Sequence, residues 1–435
     1  MAKPIYVGLI GLGTVGSGVA RILLEKGELL AKRVGAPVVL KRIVDKYPDR
    51  VKLKVAKKLL SANIEDVFGD DEISIVVELI GGYEPARSFI LKAIERGKHV
   101  VTANKALLAA HGKEIFTAAG RKGVDIGFEA SVGGGIPVIR AVREGLVADH
   151  IQSILGIMNG TSNYILTKMT DEGSSFGDVL KEAQAKGYAE ADPAYDVEGI
   201  DAAHKLAVIS TLAYGSFVRL EDIYTEGIAG IEPVDIAFAK ELGYRVKLLA
   251  ISRCDGQSIE VRVHPTMIPS EHLLANVNGV YNAFYIQGDA VGQVLLYGLG
   301  AGMMPTGSAV VGDIIDLGRN VLKGTTQRVP ALSCAINQMR SLPIKPMDDL
   351  ACRCYMRFSV VDSPGVLSKI AGVLGRNGIS IESVIQKGRD VRGSVPIVMM
   401  THEARESNVR KAVAKIDRLD VATAKTMFIR IENTI

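Results

Sequence analysis

Between Ile5 and Phe128 the chain alternates short apolar, β-branched runs with segments of helical period. Ile5–Ile10, Val38–Val44 and Ile73–Leu79 read as strands, and shorter ones fall at Val100–Val101 and Val124–Phe128. After the first strand, GLGTVG (Gly11–Gly16) opens a helical pattern that runs to near Leu30. After the third, the pair Gly81–Gly82 precedes a helix with Pro85 near its first turn. Strands alternating with helices predict an α/β arrangement around a mostly parallel sheet.

From about Glu129 to Met304 helical stretches alternate with longer β-rich ones such as Ser258–Val263, the pattern of an α+β domain. Thr306–Val321 has helical spacing, with Thr306 or Ser308 available as its cap, and this helix can pack back on the first domain. Ser341–Asp349 carries two prolines and little apolar content, so it reads as a linker. Beyond it Cys354, Met356, Phe358 and Val360 alternate as a half-buried strand. Asp362-Ser363-Pro364 then starts a helix through Asn377, with serine as cap and proline at the first helical position, and Gly378 stops it. Strands follow at Ile379–Gln386 and Val395–Thr401, a helix at Glu403–Arg418 and a last strand at Ala424–Ile431. The order βαββαβ is that of a ferredoxin-like unit. The chain thus divides into residues 1–130 plus about 305–340, residues 131–304, a linker at 341–350 and a terminal domain at 351–435.

Composition narrows the function class. The 435 residues are 48% hydrophobic and 23% charged, with a net charge of +4 and both signs interspersed. No basic patch argues for nucleic acid or an anionic membrane. The longest apolar runs are too short to span a bilayer, and the amino end shows no apolar signal region, which predicts a cytoplasmic protein. The four cysteines make no disulfide framework in a chain of this length, and Cys352-Arg-Cys354 is spaced too tightly for a zinc knuckle.

Four stretches carry chemistry. GLGTVG, between strand and helix, fits a dinucleotide fingerprint: Gly11 for the tight turn, Gly13 for close approach of a pyrophosphate, Gly16 for helix–strand packing, and the helix amino end, from Thr14 and Val15 onward, for the phosphates. This predicts a Rossmann-type domain. Asp45 ends the second strand, where a carboxylate can bind the ribose hydroxyls of NAD. Arg42, Lys46, Arg50 and Lys57 surround it and can instead hold the 2′-phosphate of NADP, so both cofactors stay open. TANK (Thr102–Lys105) lies at the carboxyl edge of the sheet, where open α/β sheets bind ligands. EASVGGGIP (Glu129–Pro137) is either a domain-crossing loop or backbone exposed to a ligand or ion. Finally, KGYAEADPAYDVEGIDAAHK (Lys186–Lys205) crowds acids beside one lysine. Asp201 and Lys205 are four apart on a helical pattern that continues into apolar Ala207–Ile209, so they share a face that is largely buried, and such a lysine needs a charge partner. Glu190, Asp192 and Asp196 precede it in a loop broken by Pro193 and can receive an ammonium-bearing substrate. His204 points elsewhere on the helix and reads as structural.

GIMNGTSNYILTKM (156–169) followed by GYAEADPAYDVEGIDAAHKLAVI (187–209) closely resembles homoserine dehydrogenase, as do TANKALLA, EASVGGGIPVI and GLGAGMMPTGSAVVGDI (298–314). The resemblance covers essentially the whole chain. It implies NAD(P)-dependent interconversion of aspartate 4-semialdehyde and L-homoserine, in the route to threonine, methionine and isoleucine. It makes Lys205 the proton donor and acceptor, positioned by Asp201. Glu190 then holds the amino-acid end of the substrate, with Asp196 in support, and Lys105 lies near nicotinamide and substrate. Thr102, Gly187 and Gly302 join the cofactor-binding set. Glu129, with the carbonyls of Val132, Gly134 and Ile136, corresponds to a monovalent cation site holding a structural sodium ion. Residues 131–304 become the substrate-binding, catalytic and dimerisation domain. The terminal domain resembles an ACT domain on DSPGVLSKIAGVLGRNGISIES (362–383), which implies threonine as effector, and the resemblance suggests a homodimer or homotetramer.

Rival chemistries lack their residues. An acylating semialdehyde dehydrogenase needs a nucleophilic cysteine, and none precedes Cys254. A zinc alcohol dehydrogenase needs ligand spacing that the seven histidines do not show. A non-catalytic sensor joining a nucleotide fold to an amino-acid-binding domain remains the alternative of a different class.

Overall fold

Residues 3–47, 55–386 and 394–433 are described by the computed structural model, so Arg50, one of the cations expected near the cofactor, lies outside the described residues. The chain divides into two units. The first holds residues 1–158, 201–223 and 281–342; the second holds 159–200, 224–280 and 343–435.

The first unit is built on a six-stranded parallel sheet. Its strands are β1 (Ile5–Ile10), β2 (Val38–Val44), β3 (Leu60–Ser61), β4 (Ile73–Glu78), β5 (His99–Thr102) and β6 (Ile126–Gly127), in the order β3-β2-β1-β4-β5-β6. This is the dinucleotide-binding order, with the chain reversing direction across the sheet at β1 and β4. Register aligns the carboxyl ends: Ile10 pairs with Val44 and with Glu78, and Glu78 with Thr102. The apolar runs are strands because both of their faces are covered. Ile5, Val7, Leu9, Ile75, Val77 and Val101 meet Val19, Leu23, Val310, Ile314 and Leu317 in one core.

Two helix boundaries differ from expectation. The helical pattern after GLGTVG is two helices, Thr14–Glu25 and Gly27–Val34, rather than one. The late helix runs Met303–Lys323 and is capped by Gly302, so neither Thr306 nor Ser308 caps it; the Thr306 N–H already bonds to the Gly302 carbonyl at 3.1 Å. Gly302 turns the chain at φ +122°, and Pro305 then sits in the first turn, where its missing N–H costs nothing. The helix does pack back on the first: a Cβ on Gly18 would lie 2.2 Å from the Met303 carbonyl oxygen, and one on Gly307 3.0 Å from the Gly18 backbone. The unit also carries an antiparallel sheet of Ile151–Ile157, Tyr281–Gly288 and Gly292–Leu299, and the almost wholly buried helix Ile200–Tyr214.

In the second unit the long hairpin Tyr244–Cys254/Ile259–Pro269 continues into the terminal domain. The last strand, Met427–Ile431, runs parallel to Thr266–Met267 and antiparallel to Ala351–Val361. Ser394–Thr401 and Ile381–Gln386 complete an antiparallel sheet in ferredoxin-like order, with helices Val366–Arg376 and Glu406–Ile416 packed on it. Ser363 does not cap the first of these helices. Gly365, at φ +90°, makes the turn and the helix begins at Val366. The second starts at Glu406 rather than Glu403, because Ala404 and Arg405 first pair with Ala351 and Cys352. Buried ion pairs tie the last strand in place. Arg430 bonds to Glu406 at 2.5 and 3.0 Å and to Glu226 at 2.9 Å, and Arg262 pairs with Glu432.

Candidate active site

The carboxyl edge of the parallel sheet gathers the Gly-rich loop and the turns after β2, β4 and β5. Gly11 stands at φ +93°, and a Cβ there would lie 2.8 Å from the Leu79 carbonyl oxygen, so loop and turn touch backbone to backbone. Gly13 faces open space, and no side chain caps the helix that begins at Thr14. Its first amides and positive dipole end, with Val15 and Gly16 in the first turn, can therefore receive a phosphate. The Asp45 carboxylate accepts the Leu12 N–H at 2.8 Å and the Tyr47 N–H at 2.9 Å, which locks the end of β2 to the loop. Arg42 donates to the Lys58 carbonyl at 2.7 Å, while Lys46 and Lys57 are exposed. The backbone contacts of Gly18 with Met303 and Gly307 place Gly302 at the adjoining helix end. This part of the chain fits a dinucleotide.

At the carboxyl ends of β4 and β5 lies a network the sequence did not announce. Glu78, at the end of β4, is only 1% exposed. One of its oxygens accepts the N–H groups of Ile80 (2.8 Å) and Gly81 (3.3 Å), and the other accepts the Thr102 hydroxyl (2.7 Å). Burial raises its pKa, and the three donors oppose the rise. Thr102 Oγ1 accepts the Asn104 N–H at 3.1 Å. Asn104 caps the helix Lys105–Lys122 by accepting the Leu107 N–H, and its amide donates to the Gly82 carbonyl at 2.7 Å. Lys105 is the first residue of that helix.

Lys105, Asp201 and Lys205 come together. Helical spacing brings Asp201 Oδ2 to 2.7 Å from Lys205 Nζ, which also donates to the Met158 carbonyl at 2.6 Å. Lys105 Nζ lies 3.2 Å from Asp201 Oδ1. Asp201 and Lys205 are buried, and Lys105 is half-buried. Two lysine side chains thus meet one carboxylate, an arrangement that can stabilise negative charge developing on a bound oxygen. His204 is buried in the same helix.

Glu129 occupies a short turn, Glu129–Ser131, and its two oxygens accept the N–H groups of Ile139 (2.8 Å) and Arg140 (2.9 Å). Its own N–H donates to Asp313 at 2.8 Å. Burial, with Asp313 nearby, pushes the Glu129 pKa up to about 7, and burial lifts Asp313 to about 6. Val132, Gly134 and Ile136 follow on the same loop, where Gly134 packs against the Gly300 carbonyl.

Gly187, Glu190 and Asp196 belong to the second unit. Gly187, at φ +74°, ends the turn after helix Phe176–Ala185, and the Gln184 amide holds the Glu190 carbonyl at 3.0 Å, leaving the Glu190 side chain exposed. Asp196 accepts the Asn159 amide at 2.7 Å, while its carbonyl accepts the Ser162 hydroxyl at 2.8 Å, so GTSN and the acidic loop are one structure. Sequence reading missed Glu78 and Met158. The first lies inside the apolar run Ile73–Leu79, where spacing alone gives it no role. The second contributes only a backbone carbonyl, which leaves no signal in a sequence.

Comparison with known proteins agrees with this geometry. Residues 11–129 match the homoserine dehydrogenase NAD-binding domain, residues 137–315 the homoserine dehydrogenase catalytic family and residues 355–421 the ACT domain. The chain is 47% identical over 431 residues to the homoserine dehydrogenase of Pseudomonas aeruginosa, covering 99% of each, and 41% identical to that of Bacillus subtilis, again covering 99% of each. A crystal structure of a homoserine dehydrogenase from Thiobacillus denitrificans superposes with a TM-score of 0.94 at 49% identity over 99% of each chain. A hyperthermophilic archaeal homoserine dehydrogenase in complex with NADPH matches 75% of this chain and 100% of its own, with a TM-score of 0.62 at 26% identity. The chain belongs to the homoserine dehydrogenase family, NAD(P)-dependent oxidoreductases, here with a carboxyl-terminal ACT domain.

Proposed function

We propose that Lys205 is the proton donor and acceptor in the interconversion of aspartate 4-semialdehyde and L-homoserine, with Asp201 orienting it and Lys105 beside the reacting oxygen. The observation that carries this reading is the Lys105–Asp201–Lys205 cluster, with Asp201 and Lys205 buried. The bound nicotinamide supplies or accepts the hydride. As the aldehyde is reduced, charge grows on its oxygen; the two ammonium groups stabilise it and Lys205 Nζ protonates it. In the reverse direction Lys205 takes the hydroxyl proton, and the Met158 carbonyl and Asp201 keep the amine aimed throughout. Glu190, supported by Asp196, receives the substrate ammonium.

The same reading assigns residues 1–130 plus about 305–340 to the cofactor, 131–304 to substrate and dimer contact, 341–350 to a linker and 351–435 to an effector domain. It places a structural sodium ion at Glu129 and the carbonyls of Val132, Gly134 and Ile136, where a cation would offset the buried carboxylate. It takes threonine as the effector, a homodimer or homotetramer as the assembly, the cytoplasm as the compartment and the threonine, methionine and isoleucine route as the setting. Either NAD or NADP suits the chain: Asp45 favours a free ribose, and Lys46 and Lys57 favour a 2′-phosphate.

One absorbance assay tests the core of this. Homoserine is supplied with NAD or NADP, and reduced nicotinamide is followed with and without threonine. Turnover with one of the cofactors, depressed by threonine, is expected. Cofactor binding without turnover would overturn the reading in favour of a sensor.

A further inference from the structure

We propose that Glu78 is a positioning residue for this reaction, fastening the wall of the cofactor loop and the start of the Lys105 helix to a single buried carboxylate. The proposal rests on the reading of Lys105 given above. Glu78 is among the most deeply buried acids of the chain, yet its hydrogen-bond partners are all uncharged: two backbone amides and one hydroxyl. A carboxylate in such a place is costly to bury, and an apolar side chain would fill β4 without that cost. What the carboxylate adds is two-sided geometry.

On one side, Oε1 draws in the Ile80 and Gly81 amides and so fixes the turn against which Gly11 packs, with Leu79 O and Ile80 as the contact atoms. On the other, Oε2 orients the Thr102 hydroxyl, whose oxygen takes the Asn104 N–H; Asn104 then caps the helix whose first residue is Lys105. The Asn104 amide closes the circuit on the Gly82 carbonyl at the far end of the same turn. Asp201 meets Lys105 at 3.2 Å, so a shift of that helix start moves one of the two ammonium groups at the reacting oxygen. Glu78 is buried away from any ligand surface; it acts through Thr102 and Asn104.

The two sides can be separated. In Glu78→Gln the amide oxygen can serve the two N–H groups, but the NH2 then donates to Thr102 Oγ1 where the carboxylate accepted from it, so the hydroxyl proton loses its acceptor and must turn away. Thr102→Val removes the same link from the other end. Both variants are expected to lower kcat/KM for homoserine about 10- to 100-fold, the usual cost of a small misplacement at a reacting centre. The cofactor KM should move far less in Glu78→Gln and rise only in Glu78→Ala. The double variant Glu78→Gln/Thr102→Val should be no worse than the poorer single one, because both cut one chain of contacts. Kinetics unmoved in Glu78→Gln and Thr102→Val, or moved only as far as the melting temperature falls, overturn the proposal, as do effects that multiply in the double variant. If Glu78→Gln fails to fold, Thr102→Val decides alone. Lys105→Ala separates this from the underlying reading: full kcat/KM in that variant would remove the role of Lys105 itself, whatever Glu78 does.

Discussion

Among the buried lysines, Lys205 of the first unit and Lys247 of the second are held in opposite ways. Lys205 donates to a carboxylate and a backbone carbonyl, Asp201 Oδ2 at 2.7 Å and Met158 O at 2.6 Å. Lys247, inside the strand Tyr244–Cys254, donates among the described residues to neutral oxygens: Val277 O at 2.6 Å and the amide oxygens of Asn163 and Asn278 at 3.2 Å each. Burial pulls the Lys247 pKa down to about 7, with Arg245 adding to the fall and Asp171 opposing it. A buried amine with a contacting carboxylate is favoured in its charged form; one among neutral dipoles is not. The first arrangement fixes the direction of the amine. The second joins Gly160–Glu172 to the 277–279 turn at the cost of a pH-sensitive joint.

The contrast can be broken from either end. The largest effect is expected for Lys205→Ala, which should lose about 10²–10⁴ in kcat while still binding reduced cofactor by fluorescence. Lys247→Met in the same assay should keep kcat of the same order; equal losses would mean that the two lysines do not differ in role. Next, Asp201→Asn makes Lys205 resemble Lys247. Losing a charge-assisted hydrogen bond of about 1.5–3 kcal/mol should lower kcat roughly ten- to hundredfold, and wild-type turnover would show that the carboxylate is dispensable.

The smallest effect is in stability. Between the folded value of about 7 and the ordinary 10.5, the unfolded chain holds a proton on Lys247 that the folded chain does not. Unfolding free energy should therefore rise with pH across that window, by up to about 1.4 kcal/mol per unit, relative to Lys247→Met. Below pH 7 the full penalty of burying the charge remains. Asn278→Asp places a carboxylate within reach of Nζ and should flatten the rise. Denaturant titrations at several pH values measure both, and parallel curves for wild type and Lys247→Met would dismiss the assignment.

Much of the frame was legible because its causes are local. The strand runs of the first unit, the Gly-rich turn and the i,i+4 pair Asp201–Lys205 all follow from spacing along the chain. What escaped depends on partners far away in sequence. Glu78 reads as the end of a strand until Thr102 is seen opposite it, 24 residues on. Lys247 stands out only once Val277 and Asn163, 30 and 84 residues away, close over it. Helix starts were misplaced at Met303 and Val366 for one reason: backbone turns at Gly302 and Gly365 did the work expected of nearby serine and threonine side chains.

The last strand of the terminal domain lies between Thr266–Met267 and Ala351–Val361, with Arg430 and Glu432 committed to Glu226, Glu406 and Arg262. A stop codon placed ahead of residue 351 would therefore do more than detach a small domain. It would bare the rim of the Ile259–Pro269 strand to intermolecular pairing and strand the Arg262 guanidinium without its Glu432 counterion. Variants of the terminal domain are better sought by substitutions within it than by deleting it.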